Sequence, residues 1–271
     1  MVHGPSAAGQ TASPLTLFTL PAETLRGGYG INWLDYVGLA ERARAAEFSN
    51  PDEALAFAAQ HTLMRAIAAS VLGVKPTAAA NIPVDRTCLL CADAPTGSAQ
   101  THGKPRIDGV NLSMARSLGL VAGALAPADV AVGLDVIAIR GSYYDSFDRI
   151  ALADYEKRVV ASLAQSEASV ARHLLWSAKE AVLKASGYGL AVEPSRVMLS
   201  LPPISSSIED SHGLTARAVA HLPGGEAPAT FWLTWQVYHG THLLAVASDT
   251  PHRVMAHTVT TPLAVKRVLG A

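Results

Sequence analysis

Cysteine is nearly absent from this chain: Cys88 and Cys91 are the only two in 271 residues. That excludes a disulfide-stapled scaffold, which needs several bridges. A structural zinc site would need a second ligand pair, and His102 is the only nearby histidine that could help. A redox C-x-x-C would open a helix, whereas Pro95, Gly97 and Ser98 make a loop. The two are therefore read as reduced, structural cysteines. Charge is also scarce, at 16% of residues, and balanced, with a formal net charge of −1. Without a global basic field, nucleic acid is not an expected partner, and any acidic partner must be met by a local patch. No apolar run approaches the roughly 20 residues that span a bilayer, so no membrane partner is expected. Residues 1–14 lack the charged and apolar regions of a signal peptide, and the expectation is a loose tail on a cytoplasmic protein.

What is abundant is apolar surface, at 49% of residues, in a chain long enough for one large domain or two small ones. Leu15 to Leu20 reads as a short strand and Gly27 to Gly30 as a turn. Asn50 or Ser49 can cap a helix whose first position is Pro51 and whose positive end carries Asp52 and Glu53; apolar spacing at Leu55, Ala59, Leu63 and Ile67 carries it to Leu72, where Gly73 stops it. Leu118 to Leu125 reads as a strand, and Val130 to Ile139 as a buried one. Arg149 to Leu163 reads as a helix. Arg196 to Leu201, Leu214 to His221, Ala229 to Tyr238 and His242 to Ser248 read as strands, the last two joined by a hairpin at His239-Gly240-Thr241. In Ala229 to Tyr238, Phe231, Leu233, Trp235 and Val237 share one face. Strands and helices in this order make an α+β protein.

Two stretches carry chemistry. Between Trp176 and Leu190 the apolar positions Leu175, Ala178, Val182 and Ala185 keep helical spacing, and Gly187 and Gly189 supply the stop. Trp176, Glu180 and Lys184 then project from the opposite side, so a carboxylate and an ammonium one turn apart face the same space. By itself such an i,i+4 pair is an ordinary solvated one worth a few tenths of a kcal/mol. Upstream, Asp135 is the only carboxylate in the apolar run from Ala131 to Ile139. Buried there, it must be paired, hydrogen-bonded or bound to a metal.

Together, Gly133-Leu134-Asp135 and Trp176-Ser177-Ala178-Lys179-Glu180-Ala181-Val182-Leu183-Lys184-Ala185-Ser186-Gly187-Tyr188-Gly189-Leu190 resemble the paired signature of the 4′-phosphopantetheinyl transferases, in the spacing of their larger, two-lobed type. His102-Gly103-Lys104-Pro105 followed by Asn111-Leu112-Ser113-Met114 is similar to the segment in which that family binds coenzyme A, with Met114 where a histidine is usual. Glu41-Arg42, Phe48 and the helix ending in Leu63-Met64-Arg65 resemble its first lobe.

The resemblance implies two similar lobes related by a pseudo-twofold, each a small antiparallel sheet packed on a long helix. Residues 15–127 would form the coenzyme A lobe and 128–271 the lobe with metal and catalytic residues. It implies transfer of the 4′-phosphopantetheine arm of coenzyme A to a serine of an apo acyl or peptidyl carrier protein by a monomer. Asp135 and Glu180 would hold Mg²⁺, with Mn²⁺ possible; Ile137 stands where many members have a third acid. Glu180, Lys184 and Asp135 are the expected catalytic residues. Arg42, His102, Gly103, Lys104, Pro105, Asn111, Ser113, Met114, Lys179 and Lys184 are expected on coenzyme A, Arg65 in structural pairing, and Tyr143, Tyr144, Phe147, Arg140, Arg149 and Arg158 toward the carrier. The alternative reading is a non-catalytic homologue that binds coenzyme A or a carrier as scaffold or regulator.

Overall fold

A computed structural model describes residues 13–26, 33, 36–87, 103–140, 143 and 146–270. Cys88, Cys91, His102, Tyr144 and the Gly27–Gly30 turn lie outside these residues.

Two sheets and two long helices set the architecture. The first sheet has the order β2-β3-β1-β9, with β1 at Ser13–Pro21, β2 at Asn111–Ser117, β3 at Leu120–Ala126 and β9 at His252–Thr258. The second has the order β4-β8-β7-β6-β5, with β4 at Val132–Ala138, β5 at Val197–Ser200, β6 at Thr215–Ala220, β7 at Ala229–Tyr238 and β8 at His242–Ser248. Neither closes into a barrel. The helices are α1 (Leu39–Ala46), α2 (Pro51–Leu72), α3 (Pro76–Ala79), α4 (Phe147–Ala151), α5 (Asp154–Ser162), α6 (Gln165–Ser186) and α7 (Pro262–Val268).

The long helices begin and end as their sequences require. The Asn50 side chain accepts the Asp52 N–H at 2.9 Å, a cap worth about 1 kcal/mol. Gly73 and Gly187 close α2 and α6 in the left-handed conformation. Ala59, Leu63 and Ile67 of α2 pack on Phe18, Leu112 and Val121 of the first sheet. On the second sheet, Leu175, Ala178 and Val182 of α6 pack on Phe231, Leu233, Trp235 and the more exposed Val237. A third core lies between the sheets, where Leu15, Leu17 and Ala122 meet Leu134, Val136 and Val246. The order of layers is helix, sheet, sheet, helix. Although no run of apolar letters suggested it, α2 has the length and composition of a membrane span, with a mean hydropathy of 1.3. Most of its apolar window, 61%, is instead buried in this core.

Four expectations are corrected. Residues 13 and 14 belong to β1, not to a tail. The strand expected from Leu118 to Leu125 is β3 at Leu120–Ala126, since Leu118 and Gly119, with φ of 35° and 84°, form the turn that joins it to β2. The helix expected over 149–163 is two, broken at Leu152 and Ala153. The last segment does not stay with the second lobe: β9 pairs in parallel with β1, from Ser13 opposite His252 to Thr19 opposite Thr258, so the first sheet is not wholly antiparallel. Beyond β9, Val265 of α7 joins the core under α2, and the Trp33 indole N–H donates to Thr260 O at 2.9 Å.

The sheets are stitched where their edges β2 and β4 run side by side. Leu134 N–H donates to Ser113 Oγ at 3.0 Å and Ala138 N–H to Ser117 Oγ at 3.1 Å. Backbone groups on an edge strand need such partners once buried.

Candidate active site

Residues of β4 alternate between its two faces. Leu134 and Val136 face the first sheet, whereas Gly133, Asp135 and Ile137 face α6. Gly133 is the point of closest approach: a Cβ built there would lie 1.9 Å from Ala181 O and 2.4 Å from Ala185 N. Only glycine lets strand and helix backbones meet so closely. This contact brings Asp135 opposite Glu180 and Lys184.

Lys184 Nζ donates to Asp135 Oδ1 at 2.6 Å. Asp135 Oδ2 and Glu180 Oε1 are both buried and have no hydrogen-bond partner among the described residues. Burial pushes the Asp135 carboxyl up, against the pull of the Lys184 ammonium and the Val136 N–H. Burial also raises the Glu180 carboxyl, the Asp135 charge adds to the rise, and Lys184 opposes it. Two orphaned carboxylate oxygens on groups close enough to repel each other are costly unless something positive meets them. An oxygen-only donor pair of this kind fits a hard divalent cation that keeps water on its remaining positions. No group of three or more His, Cys, Asp or Glu suited to a metal occurs among the described residues. Ile137, on the same face, packs in the core beneath α6. Near Asp135, the Tyr143 hydroxyl is raised by burial and by the Asp135 charge, and its ring stacks on Phe147 at 4.1 Å. Trp176 meets Phe147 edge-on at 5.7 Å.

The cation expected beside Glu180 is elsewhere. Lys179 is fully buried about 100° round α6 from Glu180, ion-paired with Glu156 at 2.7 Å. It also donates to Pro194 O at 3.1 Å and to Val197 O. With all three donors engaged, it has none for a phosphate. The sequence held the signal: Lys179 is four residues after Leu175 and three before Val182, on the apolar stripe itself. Glu156 was not singled out, because nothing local marks a carboxylate as buried.

The first-lobe residues divide. Met114 is in the core, filling the space over Gly123 beside Ile67. Asn111 donates to Pro127 O and Val130 O, both at 2.6 Å, and so holds the link between the lobes. The Ser113 hydroxyl is buried against β4. Arg42 donates to Val37 O at 3.2 Å. Arg65 is structural as expected: it donates to both Glu41 oxygens and to Ala79 O and Ile82 O. Burial alone would raise the Glu41 carboxyl, but His61, Arg65 and the Gly38 N–H hold it down to about 2.

Lys104 remains beside the carboxylates' strand. Its ammonium donates to Val132 O at 2.7 Å, and burial lowers it to about 8. Gly103 before it is pressed against another segment, since a Cβ there would lie 2.7 Å from Thr87 O. Pro105 follows, half-buried. Through this contact Arg86, which the sequence did not single out, lies next to the Lys104 turn: Gly103 N–H donates to Arg86 O at 2.8 Å. Burial lowers the Arg86 guanidinium, and Arg116 and Arg65 lower it further against the pull of Glu41. Its side chain forms no ion pair among the described residues. Arg116 lies over the Phe57 ring at 5.6 Å and donates to Gln60, lining a cleft of about 580 Å³ with Arg26 and Arg140.

Residues 131–247 match the family model described as the 4′-phosphopantetheinyl transferase superfamily. This span contains Asp135, Glu180 and Lys184 as well as the buried Glu156 and Lys179. Comparison with curated proteins gives no match.

Proposed function

We propose that this protein transfers the 4′-phosphopantetheine arm of coenzyme A to a serine of an apo acyl or peptidyl carrier protein, releasing adenosine 3′,5′-bisphosphate. The observation that carries the reading is the pair of orphaned oxygens, Asp135 Oδ2 and Glu180 Oε1, set beside the Lys184 ammonium. The match over residues 131–247 supports transfer in general; the carrier and the cation are part of the proposal.

Asp135 and Glu180 would hold Mg²⁺, or Mn²⁺, with water completing the shell in place of the acid absent at Ile137. Bound there, the cation supplies positive charge against the pyrophosphate of coenzyme A. Glu180 takes the proton of the attacking serine hydroxyl. Lys184, held at 2.6 Å from Asp135, is placed to follow the departing phosphate oxygen as negative charge develops on it. Lys104 and Arg86 bring further positive charge on the first-lobe side, and a partly desolvated cation binds phosphate more strongly than a hydrated one. Met114 and Lys179 take no part.

The test is the intact mass of purified apo-carrier proteins incubated with this protein, coenzyme A and Mg²⁺, with and without chelator. A chelator-sensitive gain of one phosphopantetheine is expected, and Glu180→Gln should abolish it while the protein stays folded. The second reading, a scaffold that binds coenzyme A or a carrier without turnover, is favoured by one observation: Ile137 is apolar and packed where a third ligand would stand. It predicts coenzyme A binding with no mass gain on any carrier, and equal behaviour of the Glu180→Gln protein.

A further inference from the structure

We propose that Glu156 and Lys179 are positioning residues: their buried ion pair fixes the rotation of α6 and thereby aims Glu180 and Lys184 at Asp135. This rests on the reading of Asp135 and Glu180 as a cation site.

The pair ties α6 to three neighbouring segments. Lys179 directs its three N–H bonds to Glu156, Pro194 O and Val197 O. Glu156 in turn accepts from Ala153 N–H at 2.8 Å, at the start of α5, and from Leu199 N–H at 3.0 Å, on β5. One residue of α6 is therefore bonded to α5, to the turn before β5 and to β5 itself. Each bond is directional, so the set resists turning of the helix about its axis. The contact on the other side of α6 cannot. There Gly133 meets Ala181 and Ala185, a smooth seam that permits close approach and offers no large side chain to lock into a groove.

Small rotations matter at this site. Side chains reach about 5–6 Å from a helix axis, so a turn of about 20° carries the Glu180 and Lys184 ends roughly 2 Å sideways. That would break the 2.6 Å bond from Lys184 to Asp135 and part the two orphaned oxygens. Removing both charges together leaves no lone buried charge, so the double replacement avoids the cost of breaking the pair on one side only.

The test compares the wild type with the double variant Lys179→Met/Glu156→Leu, which removes both charges together, and with Lys179→Arg, which keeps the charge and redirects its donors. Thermal midpoints are measured first. Mn²⁺ affinity is then read from water-proton relaxation without coenzyme A or carrier, with Asp135→Asn as the control that locates the ion. The double variant is expected to stay folded with a lower melting midpoint than wild type, because Ala153 N–H, Leu199 N–H, Pro194 O and Val197 O lose their side-chain partners. At a temperature where both proteins are folded, it is expected to bind Mn²⁺ about 10–100-fold more weakly, the range for loss of groups that orient metal ligands. Its kcat should fall more than its KM for coenzyme A changes. Lys179→Arg, should the double variant not fold, is expected to weaken Mn²⁺ about tenfold. Folded variants that bind Mn²⁺ as tightly as wild type overturn the proposal, as does a wild type whose Mn²⁺ binding is absent or indifferent to Asp135→Asn. A wild type that binds Mn²⁺ through Asp135 but modifies no carrier removes the transferase reading and leaves the positioning role standing.

Discussion

Adding one methyl group at Gly133 should separate the two halves of the site. In Gly133→Ala the new Cβ would sit 1.9 Å from Ala181 O and 2.4 Å from Ala185 N, both backbone atoms that no rotamer change can move. To reach ordinary van der Waals contact at 3.4 Å, β4 and α6 must part by about 1.5 Å. Overpacking of a core costs about 1–3 kcal/mol, and displacement of backbone places this substitution at the upper end. At about 2–4 °C per kcal/mol for a domain of this size, a cost of about 3 kcal/mol lowers the melting midpoint by roughly 6–12 °C. The same displacement would lengthen the 2.6 Å bond between Lys184 and Asp135 beyond hydrogen-bonding reach. Differential scanning calorimetry checks the first effect, and Mn²⁺ titration of the folded variant at low temperature checks the second. A Gly133→Ala protein that melts within about 2 °C of wild type and binds Mn²⁺ normally would refute the reasoning, because the seam would then have slack that the geometry denies.

Further outcomes follow from the first lobe. Met114→His, which restores the residue usual in the resembling family, should not tighten coenzyme A binding by calorimetric titration; it should destabilise by about 1–3 kcal/mol, because it places an imidazole in the core beside Ile67. Arg65→Met leaves Glu41 buried without its guanidinium and should cost about 3–5 kcal/mol by urea unfolding. The wild-type Glu41 carboxyl lies below its unfolded value, so its contribution is complete above pH 4.5 and lost as pH falls toward about 2. In Arg65→Met that loss should begin at higher pH, visible as an upward shift of the acid-unfolding midpoint. Removing residues 252–271 should unfold the first lobe more than the second, because β9 pairs with β1 and Val265 fills the core under α2; hydrogen exchange would show the loss concentrated at β1 and α2.

Much of this molecule was legible in its sequence because the signals are local. Capping by Asn50 and Pro51, the stop at Gly73, the alternation through Phe231, Leu233 and Trp235, and the helix from Leu175 to Ala185 depend only on neighbouring residues. So did the placing of Glu180 and Lys184 on one side of that helix, and the isolation of Asp135 in an apolar strand, which left it needing a partner. What the sequence could not decide depends on which surface each element turns toward another. Met114 and Ser113 are adjacent on one strand, yet one packs under α2 and the other bonds across to β4, because the pleat sends them to opposite faces. Lys179 and Glu180 are adjacent on one helix, and 100° of rotation separates a cation locked in the core from a carboxylate in the site. The return of β9 to pair with β1, more than 230 residues away, has no local signature, since a strand's letters do not name its partner. The chain's own letters determine the elements and the chemical inventory. Packing decides which charges are left without partners, and that choice places the site.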